Sequence, residues 1–378
     1  MTKRVLLVGG GSGGHVYPLV AVAQALQKEA AAKNIKLDLL LMGEGGITER
    51  AAKEHGFKFK RVIAGKFPRY IDPLILWHLI KMPLSFFQAL WQLFWYMPNI
   101  IFSKGGYDSV MPALVGKLYF IPVFVHESDS VPGMANQLIG KIAAVVFLAF
   151  KSAAKYFTAA KTVVVGNPVR EDLFGITHEA GLQQFQLSGD KKVILVMGGS
   201  QGAQQINAII LDSLVQLTEK YQVIHQCGPS QLDRVSKEVE KLTTEGGGKY
   251  VELIEKNYHL FPYLDSTQYP AALAAADVVV SRAGAGSLFE IAAVGKPAVI
   301  IPLANAANNH QLLNAAEFSR VTGAAVVEGT NMTTNILMNQ IDRLLEPGNY
   351  ATISQSMKSF ATPGAATTIA QALLTALQ

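Results

Sequence analysis

The chain has 378 residues, of which 50% are apolar and 16% are charged, so it has enough apolar material for two hydrophobic cores and is not an intrinsically disordered protein. A single cysteine, Cys227, excludes a disulfide framework and fits a reducing compartment. The net charge of +5 admits anionic lipids, nucleic acids or phosphorylated substrates as partners.

The chain begins with a strand-like segment that runs into glycines. No charged region followed by an apolar region precedes this segment, so the sequence predicts no secretion signal and a protein that stays on the cytoplasmic side. Apolar strands then alternate with segments of helical length, a pattern typical of α/β proteins with parallel sheets. The predicted strands are RVLLVG, LDLLLMG, NIIFSKGG, PVFVHE, AVVFLAF and TVVVGNP in the first half, and KVILVMGG, QVIHQCG, YVELIE, DVVVSRAG and PAVIIPL in the second.

The first glycine loop, GGGSGGHVYP, has a counterpart in the second half of the chain. Residues 3–14 and 191–202 agree at eight of twelve positions without gaps, and only the first copy continues into a histidine, His15. Glycines at such a turn let backbone amides of a helix N-terminus approach a pyrophosphate, as in dinucleotide-binding enzymes. Glu44, at the end of the second predicted strand, lies near the place of a ribose-binding acid.

The Gly-x-Ser-x-Gly spacing in both loops also matches a hydrolase nucleophile elbow. A hydrolase or a dehydrogenase needs only one such loop, however, and this chain has two. Two domains that each offer a helix N-terminus to anionic oxygens suit a diphosphate donor and a diphosphate acceptor. The duplication therefore favours a two-domain nucleotide-sugar glycosyltransferase.

Residues 56–104 combine basic and aromatic side chains against a single acid, Asp72. The uncharged part, residues 82–103, approaches the length of a transmembrane helix but is interrupted by Pro83 and Pro98. Tryptophans among cations are typical of an amphipathic helix in the plane of a membrane interface, so contact with an anionic membrane surface is predicted; the alternative is an ordinary core helix. The cations are Lys58, Lys60, Arg61, Lys66, Arg69, Lys81 and Lys104; the tryptophans are Trp77, Trp91 and Trp95; and a polar stripe at helical spacing comprises Ser85, Gln88, Gln92 and Tyr96.

Polar residues cluster after predicted strands in both halves. Tyr107, Glu127, Asp129 and Asn136 follow two successive strands of the first half, and Glu127 with Asp129 also fits a weak Mg²⁺ pair beside a diphosphate. In the second half, residues 281–303 run from a strand through a loop of small residues into a helix that carries Glu290.

Glu290 can bind a ribose diol, or it can be a solvated glutamate on a capped helix. Gln311, at the start of a later helix, can bind a sugar hydroxyl or cap the helix.

The polar segment at residues 166–192 lacks strand character and is interpreted as a linker that enters the second domain. The predicted domains are residues 1–165, an N-terminal Rossmann-like domain for the acceptor and the membrane, and residues 166–350, a C-terminal Rossmann-like domain for the donor. Residues 351–378 are predicted to form a helical segment, whose packing back onto the N-terminal domain is one option that the sequence leaves open.

Seven motifs, taken in order, resemble one family over almost the whole chain: GGGSGGHVYP, KGGY, HESDSVPGMAN, GNPVR, GGSQGAQQIN, RAGAGSLFEIAAVGKP and HQLLNA. This is the MurG family, the N-acetylglucosaminyltransferases of bacterial peptidoglycan synthesis. The resemblance implies the GT-B architecture, with two Rossmann-like domains whose parallel sheets face each other across a cleft.

The resemblance further implies inverting transfer of N-acetylglucosamine (GlcNAc) from UDP-GlcNAc to the C4 hydroxyl of N-acetylmuramic acid. The acceptor would be the undecaprenyl-pyrophosphoryl-linked pentapeptide lipid I, and the product lipid II. The enzyme would be peripheral at the cytoplasmic face of the membrane, with no cofactor, no obligatory metal and no nucleic acid partner.

The resemblance also implies roles for individual residues. His15 is implied as the catalytic base or an orienting residue, and Glu127 is its rival as base. The other implied contacts are Ser12, Gly13 and Gly14 on the first loop; Arg170 and Ser200 at the donor; Leu264, Ala285, Gly286, Ser287, Leu288, Phe289 and Glu290 around uracil and ribose; Gln311 near the sugar; and Tyr107, Asp129, Asn136 and Asn207 elsewhere in the active cleft.

Three departures from the family pattern bear on these roles. Asp129 stands where the family more usually has asparagine, RAGAGSLFE replaces a loop that commonly has serine, leucine and threonine, and LANAANNHQ has one more residue than some members. Two alternative functions stay open: a glycolipid-forming transferase that acts on diacylglycerol, and a membrane-associated nucleotide-binding protein without catalysis.

Overall fold

The computed structural model describes residues 2–11, 13–64, 75–199, 201–245, 248, 250–303 and 309–377. The chain divides into two compact units. Unit 1 comprises Met1–Arg170 and Thr362–Gln378, and unit 2 comprises Glu171–Ala361. The chain therefore passes from unit 1 to unit 2 after Arg170 and returns after Ala361, whereas the sequence predicted domain boundaries at 165 and 350.

The described residues form one parallel sheet in each unit, with seven strands in unit 1 and six in unit 2. The strands of unit 1 are β1 Lys3–Gly9, β2 Leu37–Gly43, β3 Lys58–Arg61, β4 Ile100–Gly105, β5 Val123–Glu127, β6 Val145–Leu148 and β7 Thr162–Val164. Those of unit 2 are β8 Lys192–Met197, β9 Tyr221–Gln226, β10 Tyr258–Phe261, β11 Val278–Ser281, β12 Ala298–Ile300 and β13 Ala325–Val326.

Helices connect the strands in both units. Those of unit 1 are α1 Gly13–Ala32, α2 Ile47–Glu54, α3 Ile75–Tyr96, α4 Tyr107–Leu118 and α5 Met134–Ile142. Unit 2 contains α6 His178–Gln184, α7 Gln204–Asp212, α8 Leu214–Lys220, α9 Leu232–Glu245, α10 Val251–Asn257, α11 Gln268–Ala275, α12 Ala285–Ala293, α13 His310–Thr322, α14 Thr334–Leu345 and α15 Pro347–Phe360. The last helix, α16 Ala365–Thr375, belongs to unit 1.

The two sheets repeat one topology. The strand order is β3-β2-β1-β4-β5-β6-β7 in unit 1 and β10-β9-β8-β11-β12-β13 in unit 2. The strands that precede the duplicated glycine loops, β1 and β8, occupy the same place in this order, beside the point where it reverses. Open parallel sheets bind ligands at the carboxyl ends of the strands next to such a reversal. The predicted fold of two Rossmann-like domains is confirmed.

The hydrophobic core of unit 1 lies on both faces of its sheet. On one face α1 packs against the strands and against α16, which buries Ile369 and Leu373 completely. On the other face lie α3 and α4, where Ala89, Leu93 and Val110 pack on the strands. The C-terminal helix is therefore part of the unit 1 core, while α15 is part of unit 2.

Four details differ from the sequence predictions. YVELIE is not a strand: residues 251–257 form α10, in which Ile254 and Asn257 are buried at helical spacing, and the strand β10 begins only at Tyr258. The short strands β3, β10 and β13 were not predicted. Residues 166–192 are not a simple linker, because α6 lies within them and packs on α11 of unit 2.

The fourth difference concerns α3, which passes through Pro83 instead of being cut there. It ends at Tyr96, just before Met97, which has a left-handed backbone (φ 44°), and Pro98. In the described part of the chain, no helix combines the length and the apolarity that crossing a membrane requires. Lys66 and Arg69, two of the cations predicted near the membrane, lie outside the described residues. The predicted surface contact of α3 is considered below.

Candidate active site

The first glycine loop (residues 9–14) is shaped by a buried aspartate. β1 ends at Gly9, Gly11 has a left-handed backbone (φ 85°), and α1 begins at Gly13. A Cβ atom on Gly10 would lie 2.1 Å from Oδ2 of Asp108 in the first turn of α4. Any side chain at Gly10 would therefore displace this carboxylate. Ser12, predicted to contact substrate, lies outside the described residues.

Asp108 is buried and its Oδ2 accepts a hydrogen bond from the backbone N–H of Glu44 at 3.2 Å. Burial raises the pKa of the Asp108 carboxyl to about 6, and the hydrogen bond from Glu44 offsets only part of that rise. Glu44, whose side chain the dehydrogenase interpretation placed at a ribose, holds this carboxylate through its backbone N–H.

His15 lies in the first turn of α1, directly after Gly13 and Gly14, and is half-buried. Its Nδ1 lies 3.0 Å from the carbonyl oxygen of Lys104 at the end of β4. Because a carbonyl oxygen can only accept, Nδ1 carries the proton, and in the neutral ring the lone pair is on Nε2. A ring held in this way can accept a proton at Nε2.

Glu127 ends β5 and is 2% exposed. Its Oε1 accepts from the backbone N–H of Asp129 at 2.8 Å, and its Oε2 accepts from Nδ2 of Asn136 at 2.9 Å. Burial, followed by the charge of Asp129, raises the pKa of Glu127. Because internal donors occupy both carboxylate oxygens, Glu127 holds the loop after β5. Its geometry suits a catalytic base or a magnesium ligand less well than the sequence suggested.

Asn136 is buried on α5, and its Oδ1 atom has no hydrogen-bond partner. A Cβ atom on Gly105 would lie 2.7 Å from that oxygen, so the glycine after Lys104 permits a close approach of the Asn136 amide to the strand end. Gly105 also has a left-handed backbone (φ 93°). The KGG motif therefore has a packing reason as well as a turn reason for its glycine.

Lys104 is a buried cation, so its prediction as one of the cations at the membrane surface is wrong; the sequence did not single it out as a site residue. It is 0% exposed, and its Nζ donates to Oγ of Ser128 and, at 3.4 Å, to Oδ1 of Asn167. Burial lowers the pKa of Lys104, and the charges of Glu127 and Asp129 oppose that change. A lysine next to a glycine turn gives no sign in the sequence that its side chain points into the protein.

Tyr107 and Arg170 complete the site residues of unit 1. Tyr107 is half-buried and begins α4 directly after Gly106, which has a left-handed backbone (φ 95°). Arg170 is buried, and its guanidinium carbon lies 4.9 Å from the ring centroid of Tyr17, two residues beyond His15. The structure thus brings Arg170, predicted as a donor contact, to the first turns of α1 within unit 1.

The second glycine loop (residues 198–202) repeats the turn without the histidine. Gly199 and Gly202 have left-handed backbones (φ 83° and 79°), and a Cβ atom on Gly202 would lie 1.9 Å from the carbonyl oxygen of Cys227. Ser200 lies outside the described residues. Ala203, the counterpart of His15, precedes α7. Cys227 is buried, and burial raises the pKa of its thiol, as expected of an inert cysteine.

Asn207 is completely buried below this loop. Its Nδ2 donates to the carbonyl of Cys227 at 2.9 Å, and its Oδ1 lies 3.1 Å from Nε2 of His225. The other ring nitrogen of His225 lies 2.7 Å from the Tyr258 hydroxyl. Asn207 therefore ties α7 to the end of β9, and its predicted substrate contact stays a prediction.

Gln226, which the sequence did not single out, joins two predicted parts of the donor site. It ends β9 and is buried; its Nε2 donates to the carbonyl of Gly199 at 3.0 Å, and its Oε1 accepts from the N–H of Leu264 at 3.1 Å. The second glycine loop is thus fixed relative to Leu264, the predicted uracil contact. In the sequence, the only sign of this role is that Gln226 is a glutamine at the carboxyl end of a predicted strand.

The start of α12 divides its residues into buried and accessible positions. Gly286, Ser287 and Glu290 are half-buried, and Oε2 of Glu290 accepts from the Tyr269 hydroxyl at 2.7 Å. Ala285, Leu288 and Phe289 are buried, and the Phe289 ring packs on Phe360 at 4.8 Å between centroids. The predicted substrate contacts of Leu288 and Phe289 are therefore limited to their main chain.

Gln311 is the second residue of α13 and is buried. Its Oε1 accepts from the backbone N–H of Leu303 at 3.0 Å, so its amide ties this helix to the segment after β12. Within the described residues, no three His, Cys, Asp or Glu side chains form a group that could hold a metal ion. The site residues thus form two sets, one at the carboxyl edge of each sheet.

Comparison with known proteins agrees with this arrangement. The family model of the glycosyltransferase family 28 N-terminal domain matches residues 5–148, and that of the C-terminal domain matches residues 193–370. A Bacillus cereus protein, UDP-N-acetylglucosamine–N-acetylmuramyl-(pentapeptide) pyrophosphoryl-undecaprenol N-acetylglucosamine transferase 2, is 34% identical over 90% of this chain and 91% of its own. The corresponding transferase of Halothermothrix orenii is 32% identical over 97% of both chains. The chain belongs to the MurG family of glycosyltransferases.

Solved structures agree on the fold. MurG of Acinetobacter baumannii has a TM-score of 0.71 and 24% identity, covering 99% of each chain. The UDP-GlcNAc 2-epimerase of Neisseria meningitidis, bound to UDP-GlcNAc, has a TM-score of 0.68 and 14% identity, covering 99% of this chain and 100% of its own. The predicted GT-B fold is confirmed. An epimerase shares this fold, so the fold alone does not identify the reaction. Membership of the MurG family identifies the chain as a glycosyltransferase.

Proposed function

We propose that this chain transfers GlcNAc from UDP-GlcNAc to the C4 hydroxyl of N-acetylmuramyl-(pentapeptide) pyrophosphoryl-undecaprenol, lipid I, and so forms lipid II. The observation that carries the proposal is the His15 ring, held by its Nδ1–H at the end of a glycine loop that the second unit repeats without a histidine. The names of the relatives support the donor and the acceptor.

In the proposed reaction, Nε2 of His15 removes the proton of the C4 hydroxyl. The resulting oxygen attacks the anomeric carbon of GlcNAc, and an O–C bond forms as the bond from that carbon to the diphosphate oxygen breaks. UDP leaves with the electron pair, and the anomeric configuration is inverted. General bases that act in this way contribute about 10²- to 10⁴-fold to a rate.

The donor is proposed to bind unit 2. The backbone amides of the second glycine loop and of the first turn of α12 suit a diphosphate, because helix N-termini favour negative charge. The Glu290 carboxylate, oriented by the Tyr269 hydroxyl, suits the ribose diol. Leu264, fixed through Gln226, is proposed to contact uracil.

The enzyme is proposed to work on the cytoplasmic face of the cell membrane, where α3 docks on anionic lipid. Large apolar side chains of α3 are half or more exposed: Leu84, Phe87, Trp91, Phe94 and Trp95. Phe120, which follows α4 closely, is 94% exposed. On the edge strand β3, Lys60 is an exposed cation, whereas Lys58 and Arg61 form ion pairs with Asp38 and Glu49. Aromatic groups beside cations suit the headgroup region of a bilayer.

The test is an assay of the purified protein with radiolabelled UDP-GlcNAc and three acceptors: a lipid I analogue, diacylglycerol and water. We expect label in a disaccharide-lipid only with the lipid I analogue. Glycosylated diacylglycerol would favour the alternative transferase. No product with any acceptor, with UDP-GlcNAc still raising the melting temperature, would favour a nucleotide-binding protein without catalysis.

A further inference from the structure

The ammonium group of Lys104 links two loops at the carboxyl edge of the unit 1 sheet. Lys104 is the penultimate residue of β4, and its side chain is fully buried. Its Nζ donates to Ser128, in the loop after β5, and to Asn167, in the segment after β7. Ser128 Oγ in turn donates to Oδ1 of Asn167 at 3.0 Å. These three side chains form a closed polar network with one positive charge.

Two carboxylates share this charge. Glu127 and Asp129 both act on the Lys104 ammonium, and Asp129 opposes the ionisation of Glu127. The other titratable groups that act on the cluster are His126, fully buried with Nε2 2.8 Å from the carbonyl of Gly166, and His15 on α1. Removing a buried cation that acts on nearby carboxylates leaves their negative charge less compensated, which is destabilising.

The main chain of the same residue holds His15, through the 3.0 Å contact of Nδ1 with the Lys104 carbonyl. One residue thus connects the proposed base to the charge cluster. We propose that Lys104 is a positioning residue for the transfer: its ammonium joins the loops after β5 and β7 and offsets part of the negative charge of Glu127 and Asp129, while its carbonyl orients the imidazole of His15. This inference rests on the proposed function.

The charges of Lys104 and Asp129 predict the direction in which the pKa of Glu127 changes when either charge is removed. The Lys104 ammonium lowers the pKa of Glu127, whereas the Asp129 carboxylate raises it. Removing the ammonium therefore raises that pKa further, so Glu127 becomes protonated at a higher pH. The protonated carboxyl accepts more weakly from the Asp129 N–H and the Asn136 amide, so the loop after β5 is held less well and the acid limb of the turnover profile moves to higher pH. Removing the charge of Asp129 as well moves the limb back. A role of Lys104 in packing alone gives no such reversal.

The experiment compares the pH profile of turnover for the wild type, Lys104→Met, Asp129→Asn and the double variant, with lipid I analogue and UDP-GlcNAc as substrates. Methionine keeps the apolar stem and removes the charge. Lys117→Met, an exposed lysine at the end of α4, is the matched control. We expect Lys104→Met to lower turnover near neutral pH by about 10- to 100-fold, the range that misplacement of a catalytic group produces.

We expect the double variant to recover most of that loss, with its acid limb near that of the wild type and with its melting temperature above that of Lys104→Met. A double variant as inactive or as unstable as Lys104→Met would overturn the inference, as would a wild-type pH profile in Lys104→Met. These outcomes are read against an active wild type, so they are distinct from failure of the proposed function, in which the wild type itself transfers no sugar.

Discussion

At the scale of single residues, the sequence singled out a candidate catalytic residue where a side chain differs between the two copies of the repeat. His15 stands out because its counterpart is Ala203. Lys104 and Gln226 did not stand out, because their importance depends on burial and on partners distant in the chain. Asn207 and Gln311 stood out as ligand contacts, yet their amides are engaged with the main chain of unit 2.

The Glu290 carboxylate gives a prediction for donor binding. We expect Glu290→Ala to weaken UDP binding by about 1.5 to 3 kcal/mol, the usual contribution of a hydrogen bond to a charged group. Tyr269→Phe should weaken it less, because the hydroxyl only orients the carboxylate. Isothermal titration with UDP measures both. Unchanged binding in Glu290→Ala would remove the residue from the donor site.

Asp108 gives a prediction for stability against pH. Its carboxyl has a pKa of about 6 in the folded protein against a reference of 3.8, so the folded state holds the proton more tightly than the unfolded state. The contribution of Asp108 to stability is therefore fully present below about pH 4 and is lost as pH rises through about 6. That loss is at most roughly 3 kcal/mol.

We therefore expect Asp108→Asn to raise the unfolding midpoint at pH 8 and to give little gain at pH 4. The asparagine keeps an acceptor for the Glu44 amide and carries no charge. Thermal melts at the two pH values test this, with the exposed Glu54→Gln as control. Equal effects at both pH values would mean that the Asp108 carboxyl titrates normally.

At the scale of elements, buried apolar strands were predictable and short or exposed ones were not. β1, β2, β4 and β5 each contain a short apolar run at the position predicted. β3, with sequence KFKR, is charged because it is an edge strand, and edge strands gain protection from lysines. YVELIE has apolar residues at spacings that suit either structure, and burial of Ile254 and Asn257 on one face decided for a helix.

Helix α3 differs from an ordinary surface helix, because its exposed face is aromatic. Its polar stripe faces the protein: Gln88 and Gln92 donate to the carbonyl of Arg61 at 3.2 and 3.0 Å, and the Tyr96 hydroxyl donates to that of Asp38 at 2.7 Å. The main chain at the sheet edge needs such partners. The exposed face is left to aromatic residues.

This exposed face gives a prediction for membrane binding. Replacing Trp91 and Phe94, which are 65% and 56% exposed, with serine should reduce sedimentation with vesicles of anionic lipid and leave UDP binding unchanged. Salt should weaken binding of the wild type, because surface charges are screened. Phe174→Ser, an exposed aromatic residue in unit 2, is the control. Undiminished sedimentation of the double variant would exclude α3 as the docking surface.

At the scale of the whole molecule, the repeat offset predicted two domains and the structure confirms the duplication of the sheet order. The return of the chain to unit 1 could not be predicted, because the apolar residues of α16 suit a core of either unit. Ile369, Leu373 and Leu374 are buried in unit 1 against α1, the helix that carries His15. The C-terminal residues therefore support the helix on which the proposed base lies.

We propose that the two units divide the reaction, with donor binding in unit 2 and activation of the acceptor by His15 in unit 1. The most direct test measures the rate of GlcNAc transfer to a lipid I analogue together with UDP affinity, for the wild type, His15→Ala and the control His55→Ala. We expect His15→Ala to lower turnover by about 10²- to 10⁴-fold with UDP affinity unchanged. Near-wild-type turnover in His15→Ala, with turnover lost in Glu127→Ala, would contradict the assignment of His15 as the base.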